Sequence, residues 1–351
     1  MKLLLAPMAT ISHEAFRRTV TRFGGCDELY NEMIHAPSLL AGGAWEQYYL
    51  RAETESEKLV WQLTGNRAAP LVEAAALLAR RSGIGIDLNM GCAAPQIVHT
   101  GAGIAWMEKP LAETAALVRG VKTALANAAK DGATEKRLSV KLRLGSDDFT
   151  DKGFLAFCDM LVAEGVQQLT LHPRTKKETY RAKPRWEYVE RLALRYEGRV
   201  PIVLNGNVTD KESLTAAMQT APHAAGVMIA RAAVQKPWIF AELRRSMERG
   251  RSAQPIETAA KCETTTVDCE QLALNFIDDL ARFQPPAFYQ TRLQRFFSYY
   301  CDNFSFAHYF KTQVLNAASH AASPADVLKD CKAQVCAYFA QCPDDRLLQQ
   351  T

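Results

Sequence analysis

The sequence lacks the features that mark membrane-spanning, disordered and fibrous proteins. None of its apolar runs approaches the roughly 18 residues that a helix needs to cross a bilayer, and the apolar start of the chain is short and interrupted by Pro7. We therefore expect a cytoplasmic protein with no signal peptide and no membrane partner. The net charge is only +4 over 351 residues, and apolar residues make up 48% of the chain. This composition is typical of a packed globular protein.

Cysteine pairs with metal-binding spacing are also absent. The nine cysteines are an odd number and no two of them form a CxxC pair, so we predict no disulfide framework and no zinc, iron–sulfur or other metal site. Cys331, Cys336 and Cys342 lie close together in a helical pattern. We expect these three thiols to be buried as small apolar side chains.

Up to about residue 240 the chain alternates between short apolar runs and longer amphipathic stretches. The eight candidate strands are 3–5, 28–31, 59–63, 85–88, 138–142, 168–171, 201–204 and 226–229. Each is followed by a helical pattern, and eight such units close a (β/α)8 TIM barrel. The alternative, a doubly wound sheet, usually has a glycine-rich turn after its first strand, where this chain has Ala6-Pro7-Met8. We therefore predict an α/β fold with a TIM barrel.

The pattern changes after the last candidate strand. Residues 246–268 are polar and show no apolar periodicity, which indicates a linker or an insertion. From residue 269 the pattern is helical to about residue 348, with candidate helices at 271–282, 289–300, 307–318 and 325–340. Ser323 and Pro324 are typical of the start of the last one. We predict a barrel domain over 1–245 and a small all-helical C-terminal domain over 269–351.

Polar side chains follow most of the candidate strands directly. In strand order the residues at the strand ends are Pro7 and Met8, Asn31 and Glu32, Gln62, Asn89 and Cys92, Lys141 and Arg143, His172, Asn205, and Arg231. The carboxyl ends of the strands carry the active site in a TIM barrel. Since buried polar groups need partners, this ring of side chains predicts a bound ligand with many hydrogen-bonding atoms.

The chemistry of these side chains limits the classes of ligand that can bind. Gln62, Asn89 and Asn205 can both donate and accept, as the edges of a flat heterocycle require, and Lys141 would place a positive charge beside it. The segments 204–207 and 229–232 follow strands seven and eight, the usual phosphate site of the fold. These features fit flavin mononucleotide (FMN). They fit a phosphosugar aldolase equally well, with Lys141 forming a Schiff base.

Two further segments carry candidate groups. Cys92 follows strand four on a loop, where a thiol can donate a proton or act as a nucleophile. The segment 172–186 holds six basic residues and one acidic residue between Arg174 and Arg185, with aromatic residues among them, which favours a polyanionic substrate. In the tail the basic and acidic residues balance, so any nucleic-acid surface there must be local, and Arg292 and Arg295 are candidates.

Seven short motifs in a specific order resemble those of the tRNA-dihydrouridine synthase family. They are LLAPM at 4–8, WQLTGN at 61–66, DLNMGC at 87–92, VKLRLG at 140–145, LHPRTK at 171–176, LNGNV at 204–208 and MIARAAV at 228–234. The tail motif RLQRFFSYY at 292–300 is similar to the helical domain of the bacterial C-type subgroup, which acts on uridine 16 of the tRNA D-loop.

The resemblance implies a cofactor, a substrate and residue roles. FMN would be bound by Pro7, Met8, Ala9, Gln62, Lys141, His172, Asn205, Gly206, Asn207, Ala230 and Arg231. With NADPH as reductant, the reduced flavin would give hydride to C6 of the uracil, and Cys92 would protonate C5. Asn89 and Arg143 would hold the target uridine and nearby RNA, while Arg174, Lys176 and Tyr180 belong to the loop that meets the tRNA. We expect a monomer with no obligate protein partner.

Three motifs, at four positions, differ from the usual family pattern. Ala93 follows the cysteine in place of proline, Pro173 stands between His172 and Arg174 in place of glycine, and Ala230 and Ala232 replace two glycines of the phosphate loop. We expect the two alanines to lower FMN affinity while activity is retained. The alternatives are an FMN-barrel reductase of free pyrimidines and a catalytically inactive tRNA-binding protein.

Overall fold

A closed parallel barrel forms from eight of the strands in the computed structural model, which describes residues 1–53, 55–251 and 266–350. The strands of the barrel sheet are β1 (Lys2–Leu5), β2 (Glu28–Tyr30), β3 (Ile34–His35), β4 (Leu59–Thr64), β5 (Gly85–Met90), β6 (Arg137–Leu142), β7 (Gln168–Leu171), β8 (Ile202–Asn205) and β9 (Gly226–Ile229). Strand β2 pairs with both β1 and β4, which closes the barrel, and the two-residue β3 adds to the end of β4. All of these pairings are parallel.

The eight predicted strands are confirmed, and so is the TIM-barrel fold. Their apolar runs are continuous because a strand of such a barrel is buried on both faces. Leu3, Leu4 and Leu5 of β1, for example, are fully buried. Helices follow the strands as the alternating pattern predicts: α1 (Glu14–Thr21), α2 (Ala36–Ala41), α3 (Glu46–Tyr49), α4 (Ala68–Ala79), α5 (Pro95–Val98), α6 (Leu111–Lys130), α7 (Ala156–Ala163), α8 (Glu187–Arg195), α9 (Lys211–Thr220), α10 (Arg231–Gln235) and α11 (Ile239–Arg251).

The contacts divide the described chain into two compact units. The barrel unit comprises Met1–Met8, Asp27–Val208 and Glu212–Ile229, and the second unit comprises Ala9–Cys26, Thr209–Lys211 and the described residues from 230 onward. The second unit thus takes in helix α1, which packs on the tail helix that begins at Cys269. Asp279 of that tail helix accepts a hydrogen bond from Arg22 at 2.6 Å. The units therefore divide the chain differently from the predicted boundary at 245.

The second unit is built mainly from helices with an aromatic core. Its tail helices are α12 (Cys269–Phe283), α13 (Tyr289–Tyr300), α14 (Ala307–His320) and α15 (Pro324–Gln341). Phe276 and Phe296 stack with 3.9 Å between ring centroids, and Phe310 stacks on Tyr338 at 4.1 Å. Ser323 caps α15 as predicted, since its hydroxyl accepts from the backbone N–H of Asp326.

Both ends of the predicted linker form regular secondary structure, which the sequence did not predict. Helix α11 continues to Arg251, and strand β10 (Thr266–Asp268) pairs antiparallel with β11 (Leu347–Gln349). The expectation that the tail is helical to about residue 348 is therefore wrong at its end, because Leu347–Gln349 pair with a strand that lies about 80 residues earlier in the chain. Residues 252–265 of the predicted linker lie outside the described residues.

The described residues also test the expectations about membrane-spanning helices and about the three tail cysteines. No helix in that part of the chain is long and apolar enough to cross a membrane. Of the three tail cysteines expected to be buried, only Cys331 is, whereas Cys336 is exposed and Cys342 is half-buried. The apolar stripe of α15 does not include Cys336, so helical spacing alone misplaced its side chain.

Candidate active site

Strands β4, β5 and β6 bring a group of polar side chains together inside the barrel. The register pairs Gln62 with Asp87, Asp87 with Ser139, and Asn89 with Lys141. The side chains of Gln62, Asp87 and Ser139 are fully buried, and that of Asn89 nearly so. Successive side chains of a strand point to opposite faces, so Asp87 and Asn89 share one face of β5.

Asp87 is the residue that sequence reasoning missed. Its carboxylate accepts from the Ser139 hydroxyl at 2.6 Å and from Gln62 Nε2 at 2.7 Å. Burial raises its pKa to about 6, although the hydrogen bonds from Gln62 and Ser139 and the charge of Lys141 act in the opposite direction. The signal that could have found it is a carboxylate in the middle of the apolar run of β5, since buried carboxylates are rare unless paired.

Lys141 lies on β6 beside these groups, and its ammonium is largely buried. Within the described residues it makes no hydrogen bond or ion pair, although its neighbours are polar. Burial and the charge of Arg143 lower its pKa to about 8, and Asp87 and Cys92 act in the opposite direction. A cation held in such a place without a protein partner is suited to a ligand that carries negative charge or acceptor atoms.

The loop after β5 holds Cys92 in a fixed position. Asn89 Oδ1 accepts from the backbone N–H groups of Gly91 and Cys92, at 3.2 and 3.0 Å. The Cys92 carbonyl accepts from the N–H of Ile104 at 3.0 Å. Gly103 has a φ of +63°, and a Cβ there would lie 2.5 Å from the Cys92 carbonyl oxygen. The thiol itself is half-buried.

The amide of Asn89 is saturated by protein contacts in this structure. Its Nδ2 donates to Gln62 Oε1 at 3.0 Å and to Met33 Sδ at 2.8 Å, and its Oδ1 accepts the two backbone bonds of the Cys92 loop. An amide has two donor hydrogens and two acceptor sites, so all four are used. The predicted contact of Asn89 with the target uridine would require one of these bonds to open.

The segment 172–186 after β7, which we call the basic loop, is held by two predicted RNA-binding residues, Arg174 within it and Arg143 directly after β6. Arg174 is fully buried, with its guanidinium bonded to the carbonyl oxygens of Ala182 and Tyr180. Arg143 is also buried and donates to the carbonyl of Glu178 at 3.1 Å. Both cations bind the loop backbone in this structure, and the predicted part of Arg174 and Arg143 in holding RNA stays a prediction.

Two further cations of the basic loop form ion pairs. Lys176 Nζ lies 2.7 Å from Glu108 Oε1, and Arg185 binds both oxygens of Glu178 at 2.7 and 2.8 Å. The hydrogen bonds from Arg185 outweigh the opposing effect of partial burial and lower the pKa of Glu178 to about 2. Tyr180 projects into solvent with 57% of its side chain exposed. Its ring lies parallel to His172, with 6.1 Å between centroids.

The end of β8 packs against the start of the basic loop. Gly206 has a φ of +120°, and a Cβ there would come within 2.9 Å of the His172 ring, so only glycine fits. Asn207 accepts from Arg174 Nη2 at 3.2 Å. Asn205 is buried and donates to the carbonyl of Met228 at 2.8 Å. The predicted residues His172, Asn205, Gly206 and Asn207 thus come together in the barrel unit.

The remaining predicted residues are divided between the two units. Pro7 and Met8 follow β1 in the barrel unit, whereas Ala9, Ala230 and Arg231 belong to the second unit. Arg292 of α13 is only 3% exposed and lies over the Phe288 ring, which argues against its predicted place on an RNA-binding surface. Arg295 on the same helix is exposed.

A closed parallel barrel with polar and ionisable side chains at the carboxyl ends of its strands is the architecture of a TIM-barrel enzyme. Residues 4–335 match the sequence model of the family described as Dihydrouridine synthase (Dus). The chain therefore belongs to the dihydrouridine synthase family and is an oxidoreductase. The resemblance seen in the sequence is confirmed at the level of the family, and assignment to the C-type subgroup stays a prediction.

Individual relatives are similar over about 70% of the chain. The probable tRNA-dihydrouridine synthase of Rhodobacter capsulatus is 32% identical over 245 residues, which cover 70% of this chain and 71% of that protein. A Mus musculus protein named tRNA-dihydrouridine(47) synthase NAD(P)(+)-like is also 32% identical, over 69% of this chain and 36% of its own length. Among solved structures, an old yellow enzyme homologue from Zymomonas mobilis has a TM-score of 0.47 and 13% identity, over 71% of this chain and 88% of that one.

Proposed function

We propose that the protein reduces a uridine of tRNA to 5,6-dihydrouridine, with FMN as its cofactor and NADPH as reductant. The target proposed from the tail motif is uridine 16 of the D-loop. The observation that carries the proposal is the Lys141 ammonium, which makes no hydrogen bond or ion pair within the described residues. It lies beside the Cys92 loop, which Asn89 holds in place, and the chain belongs to the dihydrouridine synthase family. A redox cofactor and a proton donor are the two requirements for reducing a carbon–carbon double bond.

The donor set of the barrel fits FMN. Lys141 on β6 and His172 directly after the neighbouring strand β7 offer an ammonium and an imidazole. Gln62 on β4 adds an amide that is bonded to Asp87 and Asn89 in this structure. When bound, FMN would supply the hydride. With a pKa of about 8, Lys141 is roughly 90% protonated at pH 7, so it can offset negative charge on a bound cofactor. A lowered lysine pKa also suits a Schiff base, so the family match, and not the pKa, favours FMN over the aldolase alternative.

Cys92 is the proposed proton donor. The two backbone bonds to Asn89 and the bond from Ile104 hold its loop, so the half-buried thiol needs little reorganisation to reach a base placed in the barrel. A uridine within a folded tRNA must first leave its stack to enter such a site. The binding energy for that step has to come from contacts with the rest of the tRNA.

The exposed cations of the basic loop are the proposed tRNA contacts. Lys177, Arg181 and Lys183 are exposed, and their side chains make no ion pair or hydrogen bond within the described residues, unlike the buried or paired cations beside them. Tyr180 is exposed between them and offers a face for stacking. A reductase of free pyrimidines would need neither feature, so they favour the tRNA substrate.

Replacing these three cations by alanine (Lys177→Ala, Arg181→Ala, Lys183→Ala) is expected to weaken tRNA binding by tenfold or more. Each phosphate contact releases counterions, so the slope of log affinity against log salt should fall by about two to three. Filter binding or fluorescence anisotropy over a range of KCl concentrations measures both quantities. The turnover number at saturating tRNA should change little.

A matched triple variant provides the control for this prediction. Lys122 and Lys130 are exposed cations on helix α6 of the barrel unit, and Arg80, directly after α4, is exposed and paired with Asp131 at 2.6 Å. Their replacement by alanine should leave the salt slope unchanged. An equal fall in slope for both triple variants would mean that the basic loop holds no particular place in tRNA binding.

The proposed function is tested by the absorbance spectrum of the purified protein and by mapping dihydrouridine in tRNA. We expect flavin absorbance, or its appearance on addition of FMN, and NADPH-dependent reduction of tRNA that lacks the modification. A protein that binds tRNA but neither retains nor takes up FMN would contradict the proposal and favour the inactive tRNA-binding alternative. Reduction of free uridine as fast as tRNA would favour the pyrimidine reductase. The expected effect of Ala230 and Ala232 on FMN affinity stays a prediction.

A further inference from the structure

A chain of four buried hydrogen-bonding side chains crosses strands β4, β5 and β6. Ser139 and Gln62 both donate to the Asp87 carboxylate, and Asn89 donates to Gln62 Oε1. We call this chain the Asp87 relay. All four side chains lie in the barrel unit, and no more than 8% of any of them is exposed. Its far end is the acceptor oxygen of Asn89, which takes the backbone N–H groups that precede and include the cysteine of the loop.

The two ends of the relay determine the direction of every bond in it. A carboxylate can only accept and a backbone N–H can only donate. Gln62 must therefore turn its NH2 towards Asp87, so its Oε1 is the atom that accepts from Asn89 Nδ2. The oxygen of Asn89 is then free to accept from the backbone N–H groups of the loop. Turning either amide over would set donor against donor at one end and leave buried groups unpaired, which is costly.

A buried carboxylate is an expensive way to fill space in a barrel. A buried apolar side chain at position 87 would pack on the neighbouring strands without that cost. The one thing such a side chain could not supply is an acceptor that orients Gln62. The relay therefore links the presence of Asp87 to the geometry of a loop four to five residues further along the chain.

We propose that Asp87 is a positioning residue that acts through Gln62 and Asn89 to hold the backbone of Gly91 and Cys92 and so to aim the Cys92 thiol. The catalytic consequence rests on the proposed function, whereas the effect on the loop does not. Charge-assisted bonds are roughly twice as strong as neutral ones, and the two bonds to Asp87 are both of this kind. Loss of the carboxylate should therefore loosen the loop although no atom of Asp87 touches it.

Hydrogen exchange measured by mass spectrometry on the cofactor-free protein tests the proposal. In Asp87→Ala, a peptide that covers residues 89–93 is expected to exchange the two amides of Gly91 and Cys92 about tenfold faster than wild type. Asp87→Asn should restore most of the protection, because its oxygen can still accept from Gln62 while its NH2 turns to the Ser139 hydroxyl. Gln62→Met cuts the relay one step later and should reproduce the effect of Asp87→Ala.

Glu28→Ala is the matched control. Glu28 is a buried carboxylate of the same barrel, bound by Arg137 at 2.6 Å and Lys2 at 2.8 Å, and it is not part of the relay. It should lower the melting temperature without changing exchange in the 89–93 peptide. Equal exchange in wild type, Asp87→Ala and Gln62→Met would overturn the proposal, and so would an equal acceleration in Glu28→Ala.

A kinetic measurement then separates the relay from the proposed function. In Asp87→Ala the kcat for tRNA reduction should fall about 10- to 100-fold with little change in KM for tRNA, and Asp87→Asn should recover most of it. A kcat that does not change while the 89–93 peptide loses protection would show that the aim of the thiol does not limit the reaction, and would overturn the catalytic part of the proposal. If the wild-type protein reduces no tRNA but the exchange pattern is as expected, the proposed function fails and the relay stands.

Discussion

Cys92→Ala is expected to lower the kcat for dihydrouridine formation by about two to four orders of magnitude, the usual contribution of a positioned general acid. The affinity for tRNA and the flavin spectrum should change little, because the side chain is small and the loop is held by its backbone. The measurement is a single-turnover reaction of the reduced protein with tRNA, followed by the appearance of dihydrouridine. Cys92→Ser should be nearly as slow, since a hydroxyl is a much weaker acid than a thiol.

Cys336→Ala is the matched control for this variant. Cys336 is the exposed thiol among the cysteines of the described residues, and it lies on α15 of the second unit. Its removal should not affect single-turnover rates. If Cys92→Ala turns over as fast as wild type, the thiol is not the proton donor, and a group elsewhere in the barrel must supply the proton.

Lys141→Met should have opposite effects on function and on stability. The ammonium is the group proposed to offset negative charge on the cofactor, so we expect FMN affinity and the rate of reduction by NADPH each to fall by at least tenfold. The cofactor-free variant should nevertheless be more stable than wild type at pH 7. Burial, assisted by the charge of Arg143, lowers the pKa of Lys141 from 10.5 to about 8, which corresponds to an unfavourable contribution on the order of 3 kcal/mol.

The pH dependence of stability provides a second check on Lys141. The unfolded chain holds its lysine proton up to about pH 10, whereas the folded state releases it from about pH 8. Between these values the unfolded state binds more protons, so the contribution of Lys141 to the free energy of unfolding rises with pH. Urea titrations at pH 7 and pH 9.5 should therefore show a smaller gap between wild type and Lys141→Met at the higher pH. A gap that does not change would mean that the buried ammonium is not destabilising the fold.

Local sequence pattern was enough to predict the barrel and the position of its active-site end. The eight strands are short apolar runs buried on both faces, and each is determined by residues adjacent in the chain. The same holds for the polar side chains at the ends of these strands, since parallel strands of a barrel all end at the same face. Helix α13 begins and ends at the predicted residues because its apolar spacing and its flanking residues are also local.

The roles of individual polar residues depended on contacts that only the tertiary structure creates. Arg174 and Arg292 look like surface cations in the sequence, but both are buried. Asp87 appeared as a single carboxylate in an apolar strand, and its partners Gln62 and Ser139 lie 25 and 52 residues away along the chain. Strand register decides which of these side chains meet, and hydrogen bonds between distant strands leave no periodic pattern in the sequence. The sequence by itself therefore determined the fold and the set of candidate residues, and the packing of the strands decided which of them can face a ligand and which hold the others in place.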